Sequence, residues 1–437
     1  MFCVDASLSP SHDGHNRVVI RGRSAVTFGI TGLSGLISRQ LTSRPRKQAS
    51  RKVDTISPFQ YNACSDDQAV TYLQGIKAGD APGTYLLVGA NDSPGPAPLG
   101  LAYVGAFDRV SNPEFNGSSG TGTWYEISVP DSFNSAGTSV YGPDNLGAGL
   151  VNYVGSFTRD LGDASPSPAN PSIVGFAYTG AVDGSTTAGF REVQGLTDEG
   201  LPGTYTFLHS VDGGLAVGNT DLGGLDERTG YFSLKSTPFV LRLADGQQVA
   251  IRFPGNDADD SDLVTHTAYG IWYDGEGQYT IAGGSGVVLE SGNGLAAGAG
   301  YLIDYDSITG SFSNYTEFDY QNRDRTDLIT HFEGIYRDSS GVYWLPATSV
   351  GLDASGEISI ASVVKVERGL SGDFLARAQW QPFEVRDSAT DVKSVLSTGN
   401  SLFGNVVVGL ASYPTLDGQL SQAAYVTLGN WLSGTLI

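Results

Sequence analysis

Two histidines sit in nearly the same phrase. DLVTHTAYGIWYDGEGQYTIAGG (262–284) carries His266 and DLITHFEGIYRDSSGVYWLPAT (327–348) carries His331, each four residues after an aspartate, Asp262 or Asp327. Glu333 follows His331 by two positions. An imidazole beside a carboxylate can do general acid–base chemistry, the carboxylate orienting the ring or holding a metal. His266, His331 and Glu333 are therefore candidate catalytic residues, and Asp262 and Asp327 candidate ligand-binding residues. The same step reads Thr71-Tyr72 and Thr204-Tyr205 elsewhere, so it accepts His or Tyr. Tyr72 and Tyr205 become candidate ligand contacts, although an amphipathic ring packed between repeats explains the exchange more simply than catalysis. His209 falls outside this step, three residues before Asp212 within a strand-like run.

Asp257, Asp259 and Asp262 reproduce part of a calcium-loop spacing, without the glycine and distal glutamate of such a loop. The loops NDADDSDLVTH (256–266), QNRDRTDLITH (321–331), NACSDDQ (62–68) and GLTDEG (195–200) are all acidic. Converging on one face, they offer oxygen ligands for a hard cation such as Ca²⁺, or simply a solvated surface. No phosphate loop, G-x-S-x-G elbow, H-E-x-x-H or C-x-x-C names a reaction. Cys3 and Cys64 are too few for a disulfide framework.

The elements that must position these groups are repeats. TYLLVGA, LVNYVGS, LAVGN, QYTIAGG, VYWLPAT and VVVGLA place Gly89, Gly155, Gly218, Gly283, Ala347 and Gly409 at intervals of 66, 63, 65, 64 and 62 residues. Within one interval TPFVLRL (237–243) and QQVAIRF (247–253) flank Asp245-Gly246, and THTAYGIWY (265–273) and QYTIAGG flank Asp274-Gly275. Asp-Gly between alternating apolar runs signals a hairpin, because φ > 0 is cheap there. The expected unit has four antiparallel strands, a to d, with tight a–b and c–d turns and a long b–c loop. FQYNACSDDQAVTYLQGI (59–76) aligns without gaps on FDYQNRDRTDLITHFEGI (318–335), which supplies b, c and d without a; QAAYVTL (422–428) supplies a alone. Joined, the two ends complete one blade and leave no raw edge.

The formal charge of -21 in 437 residues excludes a polyanion partner such as nucleic acid, and no apolar run is long enough to span a membrane. Residues 1–53 stand apart: nine Lys/Arg against Asp5 and Asp13. We expect a basic leader there, disordered or targeting, and a single domain over 54–437.

The pattern resembles a six-bladed β-propeller with both ends in one blade. Runs such as IVGFAYTG and AYGIWYDG are similar to the Gly-rich repeats of extracellular bacterial propellers. The resemblance implies an all-β fold and an exported or cell-surface protein, monomeric, with a glycan or small polar ligand at an acidic channel mouth. A hydrolase or lyase at the same face and a purely structural interaction protein are the alternatives.

Overall fold

The computed structural model describes residues 51–52, 54–56, 70–92, 98–106, 122–162, 164–197, 199–221, 225–226, 231–232, 236–253, 264–287, 298–322, 328–353, 356–387, 390–414, 420–429 and 431. Among these the fold is all-β, a propeller arrangement of antiparallel sheets with three short 3-10 turns as its only helical segments.

Six strand sets follow one another along the chain. The first comprises Val70–Ala78, Thr84–Asp92, Leu99–Ala106 and Thr123–Ile127. The second comprises Ser135–Gly147, Leu150–Arg159, Ile173–Ala181 and Phe190–Val193. In the third are Tyr205–Asp212, Leu215–Asp221, Thr237–Arg242 and Gln248–Ala250. In the fourth are Val264–Gly275, Gln278–Val287, Gly300–Asp306 and Ser311–Phe318. The fifth begins with Leu328–Phe332 and Tyr336–Arg337, and continues through Tyr343–Asp353, Gly356–Val366 and Gln379–Glu384. The sixth begins with Leu396–Ser397 and Ser401–Phe403, continues through Val406–Pro414 and Leu420–Leu428, and ends on Asp54–Ile56. A lone parallel pair, Tyr205 with Ile173, joins the second and third into one eight-stranded sheet. The count of six expected from the spacing rests on dividing that sheet at this bridge.

Packing follows from alternation. Successive side chains on a strand point to opposite faces, so a strand buried on both sides serves two neighbours. Leu86 and Val88 pack toward the second set with Val140, Tyr153 and Phe176, whereas Leu87 packs toward the sixth with Val406 and Val426. Comparable apolar clusters join the second set to the third, the third to the fourth, the fourth to the fifth and the fifth to the sixth. The cluster uniting Leu73, Ile76 and Tyr103 with Val408 and Ala424 closes the circle.

Two expectations are corrected here. The N-terminal region does not donate three strands to a C-terminal strand a: Val70–Ala78 and Thr84–Asp92 begin a set of their own, and only Asp54–Ile56 crosses over to pair antiparallel with Leu420–Leu428. The long connection, read as an internal loop, in fact leads from one set to the next. A linear four-strand repeat does not mark which strand is innermost, so its phase slipped by two strands. The described strand ends that these connections join all lie on the face opposite the tight turns, because the strands alternate direction. Sheet pairing also begins before residue 54, with Arg51–Lys52 running parallel along Gln379–Glu384.

Candidate functional site

The first strand of each set lines the axis. Each is interrupted at the same point: bulges fall between Leu73 and Gly75, Val140 and Gly142, Leu208 and Ser210, and Ala268 and Gly270. The other two break outright, between Phe332 and Tyr336 and between Ser397 and Ser401. A bulge leaves one residue unpaired and re-aims its side chain. Gln74, Tyr141, His209, Tyr269, Glu333 and Asn400 are the residues so released, and together they line a cavity of about 30 Å³. Each is followed by glycine or serine: Gly75, Gly142, Ser210, Gly270, Gly334 and Ser401. A Cβ at Gly75 would collide with the Tyr141 carbonyl, at Gly142 with Ser210 and the His209 carbonyl, and at Gly270 with Gly334. Only small residues let six backbones meet this closely. The Asn400 amide completes the circuit by donating to the Leu73 carbonyl at 2.7 Å.

Aromatic contacts run around the wall. Tyr141 meets His209 at 5.5 Å between ring centroids, His209 meets Tyr269 edge-on at 4.7 Å, and Tyr269 meets His331 at 5.4 Å. Protein encloses Glu333; its side chain keeps 18% of its surface, at the cavity. The nearest basic atom is His331 Nδ1 at 3.9 Å, beyond a hydrogen bond. Burial without a compensating charge pushes the Glu333 carboxyl up to about 8. The same burial pushes His331 down to about 4 and His209 to about 3. Tyr269 is raised by burial and by the Glu333 charge. At neutral pH the wall is thus polar but uncharged.

Three residues further along each inner strand lies a second layer: Lys77, Asp144, Asp212, Trp272, Tyr336 and Phe403. Lys77 Nζ crosses to Asp212 Oδ1 at 3.1 Å and stands 4.7 Å from the Trp272 ring centroid. Trp272 abuts Tyr336, which abuts Phe403. Asp144 is raised mainly by burial and next by the charge of Asp212, with Lys77 opposing. This layer closes the axis on the tight-turn side.

The two histidines of the echoed phrase are not equivalent, which corrects their pairing. VTHTAYGI has one residue more than ITHFEGI between histidine and glycine, and one residue in a strand reverses a side chain. His331 reaches the axial wall. His266 points to the sheet face instead, stacked on Phe253 at 3.8 Å, with Nε2 3.2 Å from Tyr315 Oη. Tyr315 donates to Glu317 at 2.6 Å, and Ser285 donates to the same carboxylate at 2.8 Å. Burial holds His266 down at about 4. Tyr72 and Tyr205 are packed, 7% and 8% exposed, rather than presented as platforms; Tyr205 joins Tyr141, Ile173 and Phe207. Asp257, Asp259, Asp262 and Asp327 lie outside the described residues. Among the described residues no three His, Cys, Asp or Glu gather as a metal site.

Sequence reasoning reached Glu333 and His331 but missed Gln74, Tyr141, His209, Tyr269 and Asn400. Their signal was present: a polar or aromatic residue before Gly or Ser, once in each repeat.

No family model matches the chain, and no curated protein matches it. Solved structures resemble it at low identity. An ulvan lyase, a polysaccharide lyase, aligns at 10% identity and TM-score 0.40 over 87% of this chain and 83% of that one. A neuraminidase-like protein of A/flat-faced bat/Peru aligns at 10% and 0.41 over 87% and 94%. An α-L-arabinofuranosidase from Lactobacillus brevis aligns at 11% and 0.34 over 77% and 94%. Such scores bear on neither substrate nor residues; the strand pairing describes the propeller without them. Among the described residues no helix is long and apolar enough to cross a membrane.

Proposed function

We propose that this propeller binds a small polar ligand, a glycan in the first instance, at the loop-bearing mouth of its axis. One observation carries the reading: six inner strands release polar or aromatic side chains into one cavity, closed on the turn side by the Lys77 layer. A purely structural ring would fill that space with aliphatic side chains. The cavity of about 30 Å³ has room for a water or two, against the several hundred Å³ (roughly 300 or more) of a ligand pocket. Only the tip of a ligand enters, and the body rests among the acidic loops, where Ca²⁺ is a candidate companion through Asp257, Asp259, Asp262 and Asp327. The same reading has the protein exported or at the cell surface and monomeric, with the basic leader expected over residues 1–53 ending where Arg51–Lys52 join the sheet. Screening the full chain on an array of neutral, acidic and amino oligosaccharides tests it, with Glu333→Gln as the comparison. Binding that Glu333→Gln weakens supports the reading; an array without a hit overturns it.

Glu333 favours a second reading, a lyase. A carboxyl that stays protonated up to about 8 is a competent proton donor at neutral pH to a leaving-group oxygen held at the rim of the cavity, the sugar ring remaining outside at the mouth. The Tyr269 phenol in the same wall would take the proton from the adjacent carbon. Glycoside hydrolysis by paired carboxylates is disfavoured, because it needs a second carboxyl roughly 5–10 Å away, and Glu333 is the only carboxylate among the described residues lining the cavity. Release of unsaturated products, followed by ultraviolet absorbance and abolished in Tyr269→Phe, would establish this activity.

A further inference from the structure

We infer that the axial cavity is a site for one protonated amine: free ammonium, or the –NH₃⁺ end of a larger ligand entering from the loop face. This deepens the reading above by naming the group that enters, and rests on it only for ligands larger than the amine itself.

Size comes first. About 30 Å³ admits a group of water's dimensions and excludes a sugar ring. The next constraint is the hydrogen-bonding inventory. Asn400 spends its Nδ2 on the Leu73 carbonyl, which leaves Oδ1 as a free acceptor. Glu333 has no hydrogen-bond donor within reach among the described residues, and Gln74 and His209 hold polar atoms with no described hydrogen bond. A tetrahedral cation with four N–H donors suits such a wall of acceptors. A carboxylate or phosphate does not, for no lysine or arginine lines the cavity.

Charge separates an amine from a water. The groups facing Glu333 are His331, His209, Tyr269 and Tyr141, none of them positive at neutral pH. Below them Lys77 is engaged by Asp212, with Asp144 alongside. Once Glu333 ionises, the axis therefore carries one uncompensated carboxylate. Aromatic walls decide among cations. Tyr141 and Tyr269 contribute aromatic rings to the wall, and an aromatic wall favours ammonium, which is less strongly hydrated than Na⁺. Ca²⁺ asks for six to eight oxygens, including several carboxylates, and this wall has a single carboxylate.

Binding must expel the Glu333 proton. Apparent affinity should then rise by about tenfold per pH unit up to about 8 and level off above it. The experiment is thermal unfolding of the full chain at constant ionic strength with ammonium, methylammonium, sodium, potassium or calcium chloride, from pH 6 to about 8.5. Calorimetry in buffers of different ionisation enthalpy counts the protons. We expect ammonium and methylammonium to raise the midpoint above the sodium control, with close to one proton released at pH 7. Glu333→Gln should lose the effect, and Gln74→Leu, which removes an acceptor but no charge, should weaken it severalfold. Equal shifts with sodium and ammonium, a preference for calcium, or an ammonium effect surviving in Glu333→Gln would overturn the proposal. Glucosamine and glucose oligomers form the last arm. Ammonium binding with neither oligomer bound and no hit on the wider glycan array upholds the cavity site while overturning the glycan reading of the mouth.

Discussion

Glu333 shows how a single side chain sets the pH behaviour of the fold. Its folded pKa, about 8, lies above the ordinary 4.5. Between those values the folded state keeps a proton that the unfolded chain has lost, so stability falls as pH rises through the window. The buried histidines work from the other side. His266 and His331 sit at about 4 and His209 at about 3, all below the ordinary 6.5. The unfolded chain therefore protonates first on acidification, and their contribution is lost as pH drops below 6.5. Among these four groups the gain from the histidines and the loss from Glu333 balance a little below pH 7. A melting-temperature profile of Glu333→Gln should keep the acidic decline and flatten the alkaline one; an unchanged alkaline limb would show that Glu333 is not the group responsible. Much of this was hidden from the sequence. His266 and His331 look alike there, because the extra residue that turns His266 away from the axis is a matter of register. Glu333 was a candidate by proximity to His331, whereas the other groups around it, His209, Tyr269 and Tyr141, come from other repeats.

At the scale of the strand, the glycines that first betrayed the repeat have a steric cause. A Cβ at Gly89, Gly155, Gly218, Gly283 or Gly409 would strike the carbonyl of Tyr72, Ser139, Phe207, Thr267 or Thr398 on the adjoining inner strand. In the first four sets the strand that supplies this carbonyl bulges just beyond it, and in the sixth it breaks there. Ala347 is the exception, in a set whose inner strand stops at Phe332. Gly283→Ala should cost about 2 kcal/mol through forced backbone displacement, and Ala347→Gly only about 0.5–1 kcal/mol; chemical denaturation of both variants checks the contrast. The Lys77–Asp212 pair, 13% and 15% exposed at the side chain, makes a second test. Lys77→Met strands two buried acids and should destabilise by about 3 kcal/mol, with much of that recovered in Lys77→Met/Asp212→Asn. The spacing made the glycine period plain. The polar residue before each small one escaped notice because its identity changes at every repeat while its position does not.

For the whole molecule, what matters is that the ring is closed by strands from both ends of the chain. Asp54–Ile56 covers the outer side of Leu420–Leu428, with Asp54 opposite Leu428 and Ile56 opposite Val426. A chain begun at Arg51 should melt with the full-length protein. One begun at Ser57 exposes that strand and should melt lower and aggregate on heating, as light scattering would record. Closure from both ends was legible in the sequence, but its stoichiometry was not. One short strand does what three were expected to do, since nothing in a four-strand period says where the circle is cut.

The axial wall has a consequence for engineering. Gln74, Tyr141, His209, Tyr269, Glu333 and Asn400 belong to six separate stretches of chain, four leaving the ladder at a bulge and two at a break. Exchanging one stretch for another swaps one wall group and leaves five in place. A library built by shuffling whole segments, the four bulged ones first, would sample new combinations of acid, amide, phenol and imidazole in one wall, and selectivity could be bred there without redesigning a single loop.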